Sequence, residues 1–317
     1  MHWRDRVYGD VTITDPEILS LIEGPTFQRL RGVRQAGPSA IAFPFKNVTR
    51  YEHSLGVFEL LGRLGADRKE RVAGLLHDIS HTAFSHAVDF LVTSASAEQD
   101  HHESLKPIML NRPDVASALE RLGYAPEDFY DDTRYPILER PLPLLCADRL
   151  DYFLRDGTAC GVMSGADAAR ILEELEIVES TMVFREPGVA RLAARLFAIM
   201  NRDWWASPTE TFIYNEFAGA LREGFRLGVL GEGDLLGEDD QVLAKLDAAR
   251  EPEIDAILAR VRRFRPEYLE GYEPRIPAKQ RWLDPPVRAG ATYRRLSELG
   301  DAGAPPAWET PSGGRSS

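Results

Sequence analysis

The chain contains very little cysteine. Its 317 residues include two cysteines, Cys146 and Cys160, and no Cys-x-x-Cys pair. Disulfide-rich secreted domains and zinc sites built on thiolates both need more cysteine at closer spacing. We therefore expect neither kind of structure, and we expect both cysteines to serve as small buried apolar residues.

Long apolar runs are also missing. The sequence has no stretch of the roughly 20 apolar residues that a membrane-spanning helix needs, and the first eight residues contain no apolar signal core. These absences exclude a membrane partner and favour a cytoplasmic location.

Positive charge is in deficit. The chain has 38 Lys and Arg residues against 50 Asp and Glu residues, a formal net charge of −12. A nucleic-acid-binding surface needs a basic footprint, so the composition disfavours nucleic acid as a partner. If the substrate is instead a small phosphate compound, a metal ion and clustered arginines must reverse the field inside its pocket.

Helical periodicity dominates the chain after a short N-terminal segment. Residues 6–14 alternate in polarity and predict a hairpin or an extended entry segment. Beyond them, apolar residues recur at the spacing of one helix face. They are Val57, Leu60, Leu61 and Leu64, then Val72, Leu75, Leu76 and Ile79, then Val189, Leu192, Leu196 and Ile199, and finally Ile254, Ile257, Leu258 and Val261. We predict an all-α fold, mainly a helical bundle, with a short N-terminal β-hairpin and a small C-terminal lobe.

Glycine and acidic residues interrupt this pattern at positions 231–240. Such a break between helical segments indicates a boundary. We expect a catalytic region at residues 1–230 and a small C-terminal lobe at 231–301. Residues 302–317 contain few large apolar side chains, so we expect them to form a disordered tail.

The most informative stretch is LLHDISHTAFSH, residues 75–86. Its adjacent His77 and Asp78 are hard to explain by packing, because a buried carboxylate costs several kcal/mol unless a positive group pairs with it. His53 upstream and Asp148 downstream are two further candidate ligands. Two imidazoles and two carboxylates suit a divalent ion such as Mn, Fe, Co, Ni or Zn. Mg would serve as a counter-ion of the substrate.

Four ordered stretches together resemble the HD-domain metal-dependent phosphohydrolase superfamily. The similarity is strongest to the branch of deoxynucleoside triphosphate triphosphohydrolases that includes the sterile-alpha-motif-and-HD-domain enzymes. The stretches are FQRLRGVRQAG (27–37), RYEHSLGV (50–57), LLHDISHTAFSH (75–86) and DRLDYFLRD (148–156). The resemblance implies a helical core whose metal is held by His53, His77, Asp78 and Asp148. It also implies that metal-activated water attacks phosphorus, converting a dNTP to deoxynucleoside and triphosphate, and that a homodimer or homotetramer is possible.

The resemblance also suggests roles for other polar residues. His81 and His86 are candidate proton donors or phosphate contacts beside the metal, although both could instead be structural. His102 is a candidate acid for the leaving group, oriented by Asp89. The expected substrate contacts are Gln35, Arg50, Arg149, Tyr152 and Asp156. Arg50 could alternatively pair with Glu52 or another surface acid, and Tyr152 could belong to the core. We interpret Asp151 as an acid on a helix face and the pair Trp204–Trp205 as packing.

Other functions stay open. Within the hydrolases, the alternative is a nucleoside monophosphate phosphatase or a hydrolase of other phosphate esters. A second alternative is a di-iron HD-domain oxygenase in which His81 and His86 hold another iron. A third is a module that binds nucleotide without turnover.

Overall fold

The computed structural model describes residues 1–92 and 101–299, with the side chains of residues 89, 92 and 101–103 left aside. The described chain is mainly helical, with two small sheets. The helices are α1 (Pro16–Glu23), α2 (Pro25–Gln28), α3 (Ser39–Ala42), α4 (Arg50–Arg63), α5 (Arg68–Leu76), α6 (Asp89–Val92), α7 (His101–Leu110), α8 (Pro113–Leu122), α9 (Ala147–Ala159), α10 (Gly165–Glu173), α11 (Pro187–Met200), α12 (Pro208–Arg226), α13 (Glu232–Leu235), α14 (Asp239–Ala249) and α15 (Pro252–Arg262). The strands are β1 (His2–Asp5), β2 (Gly9–Thr12), β3 (Leu175–Val178), β4 (Thr181–Phe184), β5 (Pro286–Ala289) and β6 (Thr292–Arg295). The predicted fold class is confirmed.

Polar side chains fix where the principal helices begin. Thr49 accepts a hydrogen bond from a backbone N–H in the first turn of α4, and Asp67 and Ser207 do the same for α5 and α12. These caps satisfy N–H groups that have no partner inside the helix. The caps of α4 and α5 matter most, because His53 lies in α4 and His77 directly follows α5.

Helix α4 packs against both α5 and α9 at the centre of the larger apolar core. Leu61 on α4 is fully buried there. Gly74 lets α5 approach closely, since a Cβ atom at this position would lie 2.3 Å from Leu61 Cδ1. The sequence pattern extends the second helix to Ile79, but α5 ends at Leu76 and Ile79 lies in the turn that follows.

The two sheets lie at different places in the chain. Strands β1 and β2 form the predicted N-terminal hairpin, with Trp3 opposite Val11, although the first strand begins before position 6. Strands β3 to β6 form a four-stranded sheet in which Phe184 of β4 pairs in parallel with Val287 of β5. Local sequence patterns do not predict this second sheet, because its strands are short and two of them come from a distant segment.

A second apolar cluster surrounds α12, α14 and α15. It includes Phe84, Phe217, Leu221, Leu246 and Leu258. The segment 231–240, expected to form a boundary, contacts the loop after α5: the Ala83 N–H donates to the Leu235 carbonyl at 2.8 Å. The division of the chain at residue 231 stays a prediction.

Asp239 anchors the same loop from α14. Its side chain is fully buried and accepts hydrogen bonds from the backbone N–H groups of Phe84 (2.6 Å) and Arg34 (3.0 Å). Phe84 has a φ of 60°, in the left-handed region, so its backbone conformation needs outside support. Asp239 therefore supports the shape of the segment that carries His81 and His86.

The described residues show neither a membrane-spanning helix nor a disulfide. None of the described helices combines the length and the apolar character needed to cross a bilayer. Cys146 is buried and Cys160 half-buried, and both are free thiols. The tail predicted at 302–317 lies outside the described residues.

Asp239 should make stability depend on pH. Burial raises the pKa of its carboxyl to about 6, although hydrogen bonds from Phe84 and Arg34 oppose the shift. The folded state therefore binds this proton more tightly than the unfolded state, and the contribution of Asp239 to stability falls as pH rises through 6. Between about pH 4 and pH 7 we expect the natural protein to lose up to about 3 kcal/mol of stability relative to Asp239→Asn. Urea unfolding of both proteins across this pH range measures the difference in their free energy of unfolding.

Asp10→Asn is the control, since the exposed Asp10 side chain lies on strand β2 and is not among the groups that shift the pKa of Asp239. This variant should keep the pH slope of the natural protein. If the stability difference between Asp239→Asn and the natural protein did not change with pH, the assigned ionisation of Asp239 would be wrong.

Candidate metal centre and substrate cavity

The four predicted metal ligands meet between α4, α5 and α9. His53 Nε2 lies 2.9 Å from Asp148 Oδ1 and 3.1 Å from His77 Nε2. The Asp78 carboxylate completes the group, with Oδ2 3.7 Å from His53 Nε2 and Oδ1 3.5 Å from His77 Nε2. His53, His77 and Asp78 are buried, and the Asp148 side chain is 25% exposed. The structure thus joins residues from three separate sequence stretches.

These distances fit a single divalent ion. Two ligand atoms bound at about 2.1 Å and at right angles lie roughly 3 Å apart, close to the separations observed. Both imidazoles also present the same ring nitrogen to the centre. The Nδ1 atom of His77 lies 2.8 Å from the Gly74 carbonyl, and that of His53 lies 2.7 Å from Asp151 Oδ2. If both Nδ1 atoms donate to these oxygens, both Nε2 atoms have a free lone pair for a cation.

The ionised carboxylates of the centre also favour the binding of a cation. Burial alone would raise the pKa of Asp78, but Arg50 and His77 hold it well below its usual range. Burial would likewise raise the pKa of Asp148, and its hydrogen bonds with the two histidines lower it instead. Burial would lower the pKa of His53, whereas hydrogen bonds with Asp148 and Asp151 raise it to about 10. An entering metal ion competes with these protons, so its binding tightens as pH rises.

Arg50 and two further histidines adjoin the ligands. Arg50 Nη1 donates to Asp78 Oδ2 at 2.8 Å, and its Nε donates to Ser85 Oγ at 3.2 Å. His81 Nε2 lies 3.1 Å from Asp78 Oδ1, and the His81 and His86 rings contact edge to face at 5.0 Å. Arg50 therefore pairs with a buried candidate ligand rather than with Glu52, which pairs with Arg6 and Arg155.

A cavity of about 680 Å³ opens onto the centre, which is ample for a small-molecule ligand. Its wall contains all five predicted substrate contacts, Gln35, Arg50, Arg149, Tyr152 and Asp156. Gln35 Oε1 is buried without a hydrogen-bond partner among the described residues. Asp156 accepts a hydrogen bond from Trp205 Nε1 at 2.9 Å, so Trp205 does more than pack.

Most of the hydrogen-bonding capacity of the Arg149 guanidinium is already used by groups of the protein. Its Nη1 donates to the carbonyls of Leu144 (2.6 Å) and Arg140 (3.0 Å), and its Nη2 lies 3.5 Å from Glu139 Oε1. Its Nε has no partner among the described residues. Arg149 therefore differs from a phosphate clamp with a free guanidinium.

Several residues of the site are not predicted from the sequence. Asp151, interpreted above as an acid on a helix face, is completely buried against His53. A signal existed, since Asp151 follows Asp148 by three residues and so lies near it on one face of α9. The cavity wall also contains Lys46 and Glu210, which pair at 2.6 Å, and Lys279 and Arg281 from the C-terminal part. These residues come from distant segments and have no local signal.

The side chains of two predicted catalytic residues, Asp89 and His102, lie outside the part of the chain that the structure describes. The proposed pairing of these residues stays a prediction.

Removing one ligand should remove the metal. In Asp148→Ala, His53 and His77 lose the carboxylate closest to both Nε2 atoms, so we expect metal affinity to fall by more than about a hundredfold. Titration calorimetry with Mn²⁺ and elemental analysis after dialysis measure it. Asp131→Asn changes a cavity carboxylate outside the ligand group and should retain metal. Unchanged metal binding in Asp148→Ala would refute the assignment.

Comparison with known proteins shows the family of the chain. A family model described as the HD domain matches residues 50–156, which include all four candidate ligands. Uncharacterized protein YdhJ of Bacillus subtilis is 36% identical over 262 residues, covering 82% of this chain and 80% of that protein. Metal-dependent phosphohydrolase cns2 of Cordyceps militaris is 32% identical over 291 residues, covering 90% and 84%. Deoxynucleoside triphosphate triphosphohydrolase SAMHD1 of Gallus gallus is 28% identical over 227 residues, covering 56% and 37%.

These findings confirm the predicted superfamily and the prediction of an enzyme. The family chemistry implies a divalent metal, which the donor set of this chain fits. The chain belongs to the HD-domain family of metal-dependent phosphohydrolases.

Proposed function

We propose that the protein hydrolyses a nucleotide at the phosphorus bonded to the sugar oxygen, and that its substrate is a dNTP, released as deoxynucleoside and triphosphate. The observation that carries this proposal is that four candidate ligands meet at one centre. Three of them, all except the buried His53, line a single cavity together with Arg50. Similarity to proteins named deoxynucleoside triphosphate triphosphohydrolases supports the substrate class. The family assignment favours hydrolysis over the oxygenase and non-catalytic alternatives.

The metal-binding role falls to His53, His77, Asp78 and Asp148. A Mn, Fe, Co, Ni or Zn ion bound there would lower the pKa of water from 15.7 toward roughly 7 and polarise a phosphoryl oxygen. Asp78 and Asp148 are ionised at neutral pH, which suits them to this role.

Arg50 orients the phosphoryl group in this proposal. Asp78 and Ser85 hold its Nη1 and Nε atoms, which fixes the plane of the guanidinium. Its Nη2 has no acceptor among the described residues and is the donor for a phosphoryl oxygen. A guanidinium held in this way stabilises the charge that develops at phosphorus without having to reorganise.

Histidines supply the proton for the leaving sugar oxygen. His81 and His86 line the cavity next to Asp78 and are candidate donors at neutral pH. The resemblance assigns the leaving-group acid to His102, oriented by Asp89. Both assignments are part of the proposal.

The sugar would lie against Gln35, Tyr152 and Asp156. Gln35 Oε1 is a buried acceptor that no described residue pairs with, so it is available to a hydroxyl group. Burial raises the pKa of Tyr152 to about 12, so its phenol stays protonated and can donate. Trp205 holds Asp156 from behind. These are polar contacts that a nucleoside needs, and Trp204 and Trp205 add aromatic surface to the same wall.

A phosphate monoester is the second candidate substrate, and the charge pairing in the cavity favours it. Arg50 pairs with Asp78, Lys46 with Glu210 and Arg149 with Glu139. A triphosphate carries roughly twice the charge of a monophosphate and needs more unpaired cations. Among the described cations of the wall, Lys279 and Arg281 have no carboxylate partner. A nucleoside monophosphate needs fewer unpaired cations than a triphosphate does.

A product assay tests the proposal. Protein stripped of metal is reloaded with Mn, Co, Ni, Fe or Zn and supplied with each dNTP, NTP and nucleoside monophosphate. We expect deoxynucleoside plus intact triphosphate, separated by ion-exchange chromatography. In ¹⁸O-labelled water the label should enter the phosphate product, because the attack is at phosphorus.

Each other outcome has a definite meaning. Free phosphate from a monophosphate would move the assignment to the second candidate. Label in the nucleoside hydroxyl would contradict attack at phosphorus. Failure to hydrolyse any nucleotide with any of the metals would refute the nucleotide proposal. The expected dimer or tetramer and the cytoplasmic location stay predictions.

A further inference from the structure

A network of buried charges joins the N-terminal hairpin to the metal centre. Its central member is Arg155 on α9, whose side chain is completely buried. Its Nε and Nη2 donate to the two oxygens of Asp151 at 2.9 and 2.8 Å. Its Nη1 donates to Asp5 of β1 at 3.0 Å and to Glu52 of α4 at 3.1 Å. The Tyr8 hydroxyl donates to Asp151 Oδ1 at 2.8 Å.

Asp151 connects this network to the candidate ligand His53. Its Oδ2 lies 2.7 Å from His53 Nδ1, while His53 Nε2 faces the other ligands. A carboxylate that accepts from one ring nitrogen fixes the tautomer and the orientation of the imidazole, and so tunes how the other nitrogen binds metal. Arg155 and Tyr8 in turn donate hydrogen bonds to the Asp151 carboxylate and fix its position.

The packing between α4 and α9 leaves space for the network. A Cβ atom at Gly56 of α4 would lie 2.0 Å from Arg155 Nη2 and 2.2 Å from Asp151 Oδ1. The absence of a side chain at this position therefore allows α4 and α9 to enclose the ion pair.

Stability is a weak reason to keep such a network. Replacing a buried ion pair by apolar residues of similar size is often neutral or stabilising. A continuous chain of hydrogen bonds that ends on a nitrogen of the candidate ligand His53 points instead to a role in the centre.

We propose that Asp5, Tyr8, Arg155 and Asp151 form a positioning relay for His53, which makes the N-terminal hairpin a working part of the metal centre. Asp5 and Tyr8 lie outside the HD-domain match at residues 50–156. The HD-domain segment alone would therefore hold the metal less tightly than the full chain. The inference rests on the proposed function only through the role of His53 as a ligand.

Metal affinity of the full-length apoprotein tests the relay without any substrate. Asp151→Asn cannot accept in the same way from both His53 and Arg155, so we expect Mn²⁺ and Co²⁺ affinity to fall by about tenfold to hundredfold. Asp5→Asn and Tyr8→Phe act one step further away and should weaken binding in the same direction by a few-fold. Titration calorimetry measures these affinities, and the visible absorption of bound Co²⁺ should shift in Asp151→Asn.

Asp10→Asn is the matched control, because Asp10 lies on the same hairpin with its side chain exposed. It should bind metal like the natural protein. If Asp151→Asn does not fold, the two hairpin variants still decide the question, since neither residue contacts His53. Hairpin variants that lose thermal stability yet keep natural metal affinity and an unchanged Co²⁺ spectrum would show a merely structural role and overturn the relay.

Failure of the relay and failure of the proposed function are distinguishable. A natural protein that binds metal but hydrolyses no nucleotide would refute the proposed substrate and leave the relay intact. If His53→Ala bound metal as tightly as the natural protein, the ligand role itself would be wrong, and the relay with it.

Discussion

The structure depends on bringing two imidazoles and two carboxylates together between three buried helices. His53 Nε2 has neighbouring ligand atoms at 2.9, 3.1 and 3.7 Å. Buried ionisable groups are costly unless they are paired. Nearby groups supply the pairing, since Arg50 holds Asp78 and Asp151 holds His53. The helix caps and the close helix contact at Gly74 keep these side chains in register.

The site extends beyond the segment that carries the family motif. Asp5 precedes the HD-domain match at residues 50–156, and Asp239 follows it. Asp5 holds Arg155 on the hairpin side. Asp239 holds the Phe84 backbone and so the loop that carries His81 and His86. A relative that aligns over most of the chain, such as cns2, is thus more informative for this protein than the domain match alone.

Local patterns in the sequence predict the helical class and nominate the candidate ligands, because apolar spacing and the adjacent His77 and Asp78 are visible in short windows. Contacts between distant segments are not visible in this way. The pairing of Phe184 with Val287 and the burial of Asp151 against His53 both depend on such contacts. Asp151 therefore looks like an ordinary acid on a helix face until α4 and α9 are packed together. The pairing of cavity cations, which bears on the substrate, is hidden for the same reason.

The most direct test of the central claim is to locate the metal. Crystals grown with Mn²⁺ and measured at the manganese absorption edge should show one anomalous peak among the four ligands. His53 Nε2, His77 Nε2, Asp78 and Asp148 should each lie within about 2.0–2.3 Å of it. A peak elsewhere, or no peak at a saturating Mn²⁺ concentration, would contradict the assignment of these residues as the metal centre of this phosphohydrolase.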